Sequence, residues 1–189
     1  VRNQGTIGGN LCYGDPSTDP PGCLLALNAT VLLGSTQGER TMRLDEFMVD
    51  FFETALEHEE ILIEIRVPPL PENAVGLYSR FLKTAAEHRP LVSVTLVADR
   101  DGSTCHEARI AVGACVPVPT RLARAEAFLQ GRTVTPAVAA EAADMLAQDI
   151  EPISDSRGSA QYRRDIVRAV ARRTICELFE LSIDEGVSA

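Results

Sequence analysis

The stretch "GTIGGN" at residues 5–10 holds the residues whose types and spacing could do chemistry. Gly8 and Gly9 carry no Cβ, so the backbone there can take left-handed angles and come close to a ligand. Successive N–H groups in that conformation form a nest for an anion, to which Thr6 and Asn10 can add side-chain donors. A diphosphate suits such a hollow, because charge-assisted hydrogen bonds contribute roughly 1.5–3 kcal/mol each. A plain glycine turn accounts for the same residues. The stretch is not G-x-G-x-x-G and no G-K-[ST] follows it, so the usual dinucleotide and P-loop readings fail. Asp19, in "PSTDPP", can face a ligand or cap the helix that Pro20 and Pro21 open.

Other chemistries find little support. Cys12, Cys23, Cys105, Cys115 and Cys176 form no C-x-x-C pair, and His58, His88 and His106 show no ligand spacing, so no metal is expected. Five widely separated cysteines read as reduced thiols, hence a cytoplasmic protein. No nucleophile–base pair or carboxylate dyad stands out. The net charge of −9 argues against nucleic acid or an anionic membrane as a partner. No apolar run approaches the roughly 20 residues of a membrane span.

The elements that must position these residues fall into two parts. After a helix "PGCLLALN", the runs "ATVLLGS" and "GERTMRL" read as a hairpin around Gln37-Gly38. "LDEFMVDFFETAL" reads as a helical turn and a loop. "ILIEIRVPP" alternates, with Ile61, Ile63, Ile65 and Val67 on one face, which predicts a half-buried strand ended by Pro68 and Pro69. The proline-rich stretch 68–74 divides residues 1–72 from 73–183. Beyond it, "VGLYSRFLKTA" reads as a strand, and two more strands meet around Asp101-Gly102. Helices follow: 121–130 ending at Gly131, one opened by Thr135-Pro136, and the long "SAQYRRDIVRAVARRTICELFE". Strands followed by helices give an α+β class.

Several separated motifs together resemble the FAD-binding (medium) subunit of the molybdenum hydroxylases, the carbon monoxide dehydrogenase and xanthine dehydrogenase family. They are "VRNQGTIGGNLCYGDPSTD", "LLALNATVLL", "EEILIEIRVP", "FLKTAAEHRPLVSV", "ARIAVGACVPVPTRL" and "DSRGSAQYRRDIVRAVARR", in the family's order and covering nearly the whole chain. The resemblance implies the second subdomain of a PCMH-type FAD-binding domain. A C-terminal domain of a three-stranded antiparallel sheet with a helical bundle should follow it.

It further implies that Thr6, Ile7, Gly8, Gly9 and Asn10 wrap the FAD pyrophosphate with backbone amides, and that Asp19 contacts the nucleotide. Tyr13 matches another contact residue, Leu62 a residue beside the flavin, and Lys83 a basic residue near the isoalloxazine. From the residues alone, Tyr13 is a loop aromatic packed on the hairpin and Lys83 a solvated strand lysine. His88-Arg89-Pro90 departs from the family's commoner pattern, so no role is carried over to it.

The implied function is electron transfer from iron–sulfur clusters through FAD to an external acceptor. The implied partners are a molybdopterin-binding large subunit and an iron–sulfur small subunit. The family's FAD domain has an earlier subdomain with another glycine-rich turn on the same diphosphate. A chain starting at Val1, without Met, is therefore expected to be a fragment that binds FAD weakly or not at all. The alternative is a non-catalytic assembly or docking fragment without cofactor.

On the last helix, Arg164, Arg168 and Arg172 form a stripe that suits a solvated face or an acidic partner, with Tyr162, Ile166, Val170 and Leu178 opposite. Arg163 projects to the apolar side and needs a carboxylate, for which Asp155 is the candidate.

Overall fold

The computed structural model describes residues 4–182. The chain opens on a helix, α1 (Ile7–Tyr13), where the residue types suggest a left-handed glycine turn. Thr6 Oγ1 accepts from the Gly9 N–H at 3.0 Å and caps the helix, and Gly14, at φ +67°, ends it. Gly8 and Gly9 are thus helical, and positive φ falls to Gly14 instead. A second helix, α2 (Asp19–Ala26), carries prolines in its first turn as expected.

Strands β1 (Thr30–Ser35) and β2 (Gly38–Arg43) pair as the predicted hairpin, with Ser35 opposite Gly38. The mixed segment after them forms a short helix, α3 (Leu44–Phe47), and a small hairpin of β3 (Met48–Asp50) and β4 (Glu53–Thr54). Strand β5 (Ile61–Arg66) completes an antiparallel sheet of order β2-β1-β5. Its alternation breaks at a bulge. Leu33 pairs with Leu62 but Leu32 with Glu64, leaving Ile63 as the extra residue. Leu62 and Ile65 therefore both pack inward, while Ile61, Ile63 and Val67 are exposed. The expected isoleucine face is not the buried one.

An exposed connection, residues 67–73, leads to the second sheet. Its long strands are β6 (Ala74–Phe81), β7 (Val92–Asp101) and β8 (Thr104–Gly113), the three expected. A two-residue β9 (Thr120–Arg121) extends it in the order β6-β7-β8-β9. Helices α4 (Ala123–Leu129), α5 (Pro136–Asp149) and α6 (Ala160–Leu178) follow. Thr135 caps α5 through its hydroxyl, as its sequence suggests.

Strand alternation sends the two faces of this sheet to different partners. Val94, Leu96, Ile110 and Val112 pack against α4–α6, with Leu146, Val167 and Ile175. Val97 and Ala111, on the opposite face, join Leu11, Leu25, Val31, Leu33 and Phe47. The second apolar cluster thus crosses the proline-rich connection.

Arg163 is only 1% exposed, and its Nη2 lies 2.6 Å from Asp155 Oδ2, the expected partner. The arginine stripe is partly neutralised at home: Arg168 ion-pairs with Asp144 and Asp165. Tyr162 is 42% exposed and does not join the apolar side.

Candidate functional site

The first turn of α1 is open to solvent at Thr6, Ile7 and Gly9, with Gly8 half-buried. N–H groups in a helix's first turn have no partner within the helix, so they face outward there. The two glycines differ. A Cβ on Gly9 would stand 2.9 Å from Thr6 Oγ1, so the capping hydroxyl would have to shift to admit it. A Cβ on Gly8 would meet only Leu62 Cδ2 at 3.5 Å, an ordinary contact. The fold does not demand glycine at 8, although glycine costs about 1 kcal/mol against alanine inside a helix. The same proximity places Leu62 beside the Thr6–Asn10 turn.

Asn10 is tied through one hydroxyl to Thr18, the residue before Asp19: Thr18 Oγ1 donates to Asn10 Oδ1 at 2.9 Å. With its carbonyl oxygen engaged, the Asn10 amide presents its NH2 as a donor. Asp19 does not cap α2: Thr18 holds the cap position, and Asp19 is the first helical residue. Its carboxylate instead accepts from the Tyr78 hydroxyl and from Arg80 Nη1, the latter at 3.3 Å. Burial, and secondarily the hydrogen bond to Asp19, push the Tyr78 phenol well above its ordinary value, so it stays a donor. Tyr78 and Arg80 lie 59 and 61 residues from Asp19, and no local pattern announces them.

Tyr13 ends α1, 58% exposed, with its ring edge-on to Phe52 at 5.1 Å between centroids. Phe52 stands at φ +57°, an uncommon conformation for an aromatic residue, and its N–H donates to the Gly14 carbonyl at 3.0 Å. Tyr13 is thus helical rather than in a loop, and it packs on the turn of the small β3–β4 hairpin, not on the β1–β2 hairpin that the sequence predicts.

Lys83 lies in the β6–β7 connection, beyond the strand in which the sequence places it. Its Nζ donates to the Arg157 carbonyl at 3.3 Å. The same connection carries Arg89, whose Nη2 stands 2.8 Å from Asp15 Oδ2, a carboxylate almost fully buried between α1 and α2. A cleft of about 480 Å³ opens beside it, lined among others by Ser17, Phe51, His88 and Arg157. A smaller cavity of about 350 Å³, near Arg43, Asp45 and Arg121, lies apart from these residues.

The structure therefore groups Thr6–Asn10 with Leu62, bonds that group to Thr18, the residue before Asp19, and holds Tyr13 and Lys83 by separate partners. Among the described residues no cluster of His, Cys, Asp and Glu could hold a metal ion. Burial raises the thiols of Cys115, to about 12, and Cys105, to about 11, with nearby Asp99 and Glu107 adding to the latter. Both are therefore poor nucleophiles.

Residues 80–178 match the family model of the CO dehydrogenase flavoprotein C-terminal domain, and residues 1–70 that of the FAD binding domain in molybdopterin dehydrogenase. The chain belongs to the FAD-binding subunit family of the molybdenum hydroxylases. Within that family it is 37% identical to the nicotine 6-hydroxylase medium subunit of Paenarthrobacter nicotinovorans over 94% of its length, covering 62% of that protein. It is 31% identical to the carbon monoxide dehydrogenase medium chain of Hydrogenophaga pseudoflava over 93% of its length, covering 61% of the relative. The crystal structure of quinoline 2-oxidoreductase from Pseudomonas putida 86 shares the fold, with a TM-score of 0.87 and 30% identity. That match covers 95% of this chain and 62% of the other. The chain thus spans about three-fifths of the length of the relatives it matches. No helix among the described residues is long and apolar enough to cross a membrane.

Proposed function

We propose that the chain serves as the FAD-binding, electron-transferring part of a molybdenum-containing hydroxylase. Electrons would reach it from iron–sulfur clusters on a small subunit, after substrate oxidation on a molybdopterin-binding large subunit, and leave to an external acceptor. Family membership supports the flavin reading. The observation that carries it to particular residues is Gly8: an outward-facing first turn is kept bare where packing within the chain asks for nothing.

Bound FAD would supply the redox chemistry, accepting and releasing electrons. The residues of this chain would hold and orient it. Main-chain N–H groups of Ile7 and Gly8 would donate to the diphosphate, and the Asn10 amide would add a side-chain donor. Thr6 keeps the turn in shape by holding the Gly9 N–H. Asp19, oriented by Tyr78 and Arg80, would face the nucleotide. Leu62 would pack beside the ring system, and Tyr13 would shield an edge. Lys83 would place a positive charge near the flavin.

We also take residues 1–72 and 73–183 as the flavin-binding and C-terminal units. With few donors of its own, the 189-residue chain alone is proposed to bind FAD weakly. Stoichiometric flavin absorbance on the purified 189 residues would contradict that part.

Gly8→Ala tests the site. Alanine favours the helix by up to about 1 kcal/mol and meets only Leu62, so stability should hold or rise. The added methyl group stands between the backbone and a diphosphate, so FAD retained by the purified hydroxylase complex should fall about tenfold or more. Full FAD content in a stably folded Gly8→Ala complex would refute the placement.

A further inference from the structure

Arg157 lies in the connection between α5 and α6, yet its side chain leaves that connection to hold another. Its Nη2 donates to the Arg89 carbonyl at 2.6 Å and to Glu87 Oε2 at 3.2 Å, and its Nη1 to the Pro90 carbonyl at 3.4 Å. Glu87 Oε2 also accepts from the Lys83 N–H at 3.2 Å, and Lys83 Nζ donates back to the Arg157 carbonyl at 3.3 Å. Both ends of the loop spanning residues 82–90 therefore close on one arginine.

Arg157 is fixed from behind. Asp155 Oδ1 accepts from the Arg157 N–H at 2.9 Å, and Asp155 Oδ2 lies 2.6 Å from Arg163 Nη2. Arg163 is rooted in α6 and donates to the Ala114 carbonyl at 3.3 Å. Burial alone would raise the Asp155 carboxyl. The Arg163 guanidinium and the hydrogen bonds from the Arg157 and Gly158 N–H groups outweigh it and hold the group below its ordinary value, so it stays ionised.

We propose that Asp155, Arg157 and Arg163 form a relay that positions the 82–90 loop, with Arg157 the positioning residue that fixes where the Lys83 ammonium stands. The consequence for the cofactor rests on the reading of Lys83 as the cation near the flavin. The acceptor of Lys83 Nζ is a neutral carbonyl, and among the described residues no carboxylate ion-pairs with it. No paired carboxylate among them offsets its charge there. A cation beside a ring that gains negative charge on reduction raises the reduction potential. The "DSRGS" turn and Arg163 thereby act on a residue some seventy positions earlier in the chain.

Two measurements test this. Amide hydrogen exchange on the 189-residue chain should show residues 83–90 exchanging about tenfold faster or more in Arg157→Ala. Arg157→Lys should not restore protection, because a point charge cannot reach three acceptors as a planar fork does. Unchanged exchange in Arg157→Ala, or full rescue by Arg157→Lys, overturns the proposal.

In the purified flavin-loaded complex, Lys83→Ala and Arg157→Ala should each lower the flavin midpoint potential. The double variant should match Lys83→Ala, since one group acts through the other. A shift in Lys83→Ala with none in Arg157→Ala, or additive shifts, also overturns it. Faster loop exchange with no potential change in either variant keeps the relay and refutes instead the placement of Lys83 beside the flavin.

Discussion

Glu60 shows how much one carboxylate can be asked to hold. Arg40 meets it with Nε at 2.6 Å and Nη2 at 2.8 Å, and the Glu57 N–H adds a third donor at 2.9 Å. The hydrogen bonds from Arg40, then that from Glu57, lower the carboxyl from its ordinary 4.5 to about 2. A depressed folded-state value means the stabilisation is present above pH 4.5 and is lost as pH falls toward 2. The stability difference between the natural chain and Glu60→Gln should therefore be flat above pH 4.5 and vanish near pH 2, read by chemical denaturation across pH. A difference that persists below pH 2 would show that shape, not charge, carries the contact.

At the scale of elements, the bulge in β5 governs what its neighbour can be. Ile63 Cδ1 lies over Gly34 so closely that a Cβ there would stand 2.3 Å away. Gly34→Ala should cost roughly 1 kcal/mol or less, because the isoleucine tip is exposed and can turn away. In an Ile63→Ala background that cost should disappear, as a thermal-melt double-mutant cycle would show. Equal costs in both backgrounds would place the strain elsewhere.

Elements whose signals are local were legible. Thr135-Pro136 opens α5, and the Asp101-Gly102 hairpin joins β7 to β8. The face of β5 is not legible in its own pattern, because a bulge depends on the partner strand. The helical state of Gly8 and Gly9 is not legible in the glycines, which signal freedom, while the deciding bond comes from Thr6, three residues before Gly9.

At the scale of the molecule, the second apolar cluster joins residues from both sheets, with Val97 and Ala111 packed among Leu11, Leu25 and Val31. Asp19 adds a polar tie to Tyr78 and Arg80. The chain should therefore unfold in one cooperative transition. Probes in the first sheet and in α6 should give coincident denaturant midpoints, and two separated midpoints would refute this.

The candidate site was legible in part. Thr6–Asn10 and Leu62, both singled out from the sequence, lie side by side, because one short turn and one strand suffice. The partners of Asp19 and Lys83 were not legible, because Tyr78, Arg80 and Arg157 reach them across the fold.

Helix α2 covers one face of β7 and β8, although it precedes the proline-rich connection by some forty residues. A Cβ on Gly22 would meet Thr95 at 3.6 Å, and Thr95 Oγ1 lies 3.8 Å from Cys23 Sγ. The exposed connection is thus not the seam along which the molecule comes apart. Anyone splicing halves of related subunits at residues 68–73 would graft a sheet without its lid, and a viable chimaera must carry α2 along with the sheet it shelters.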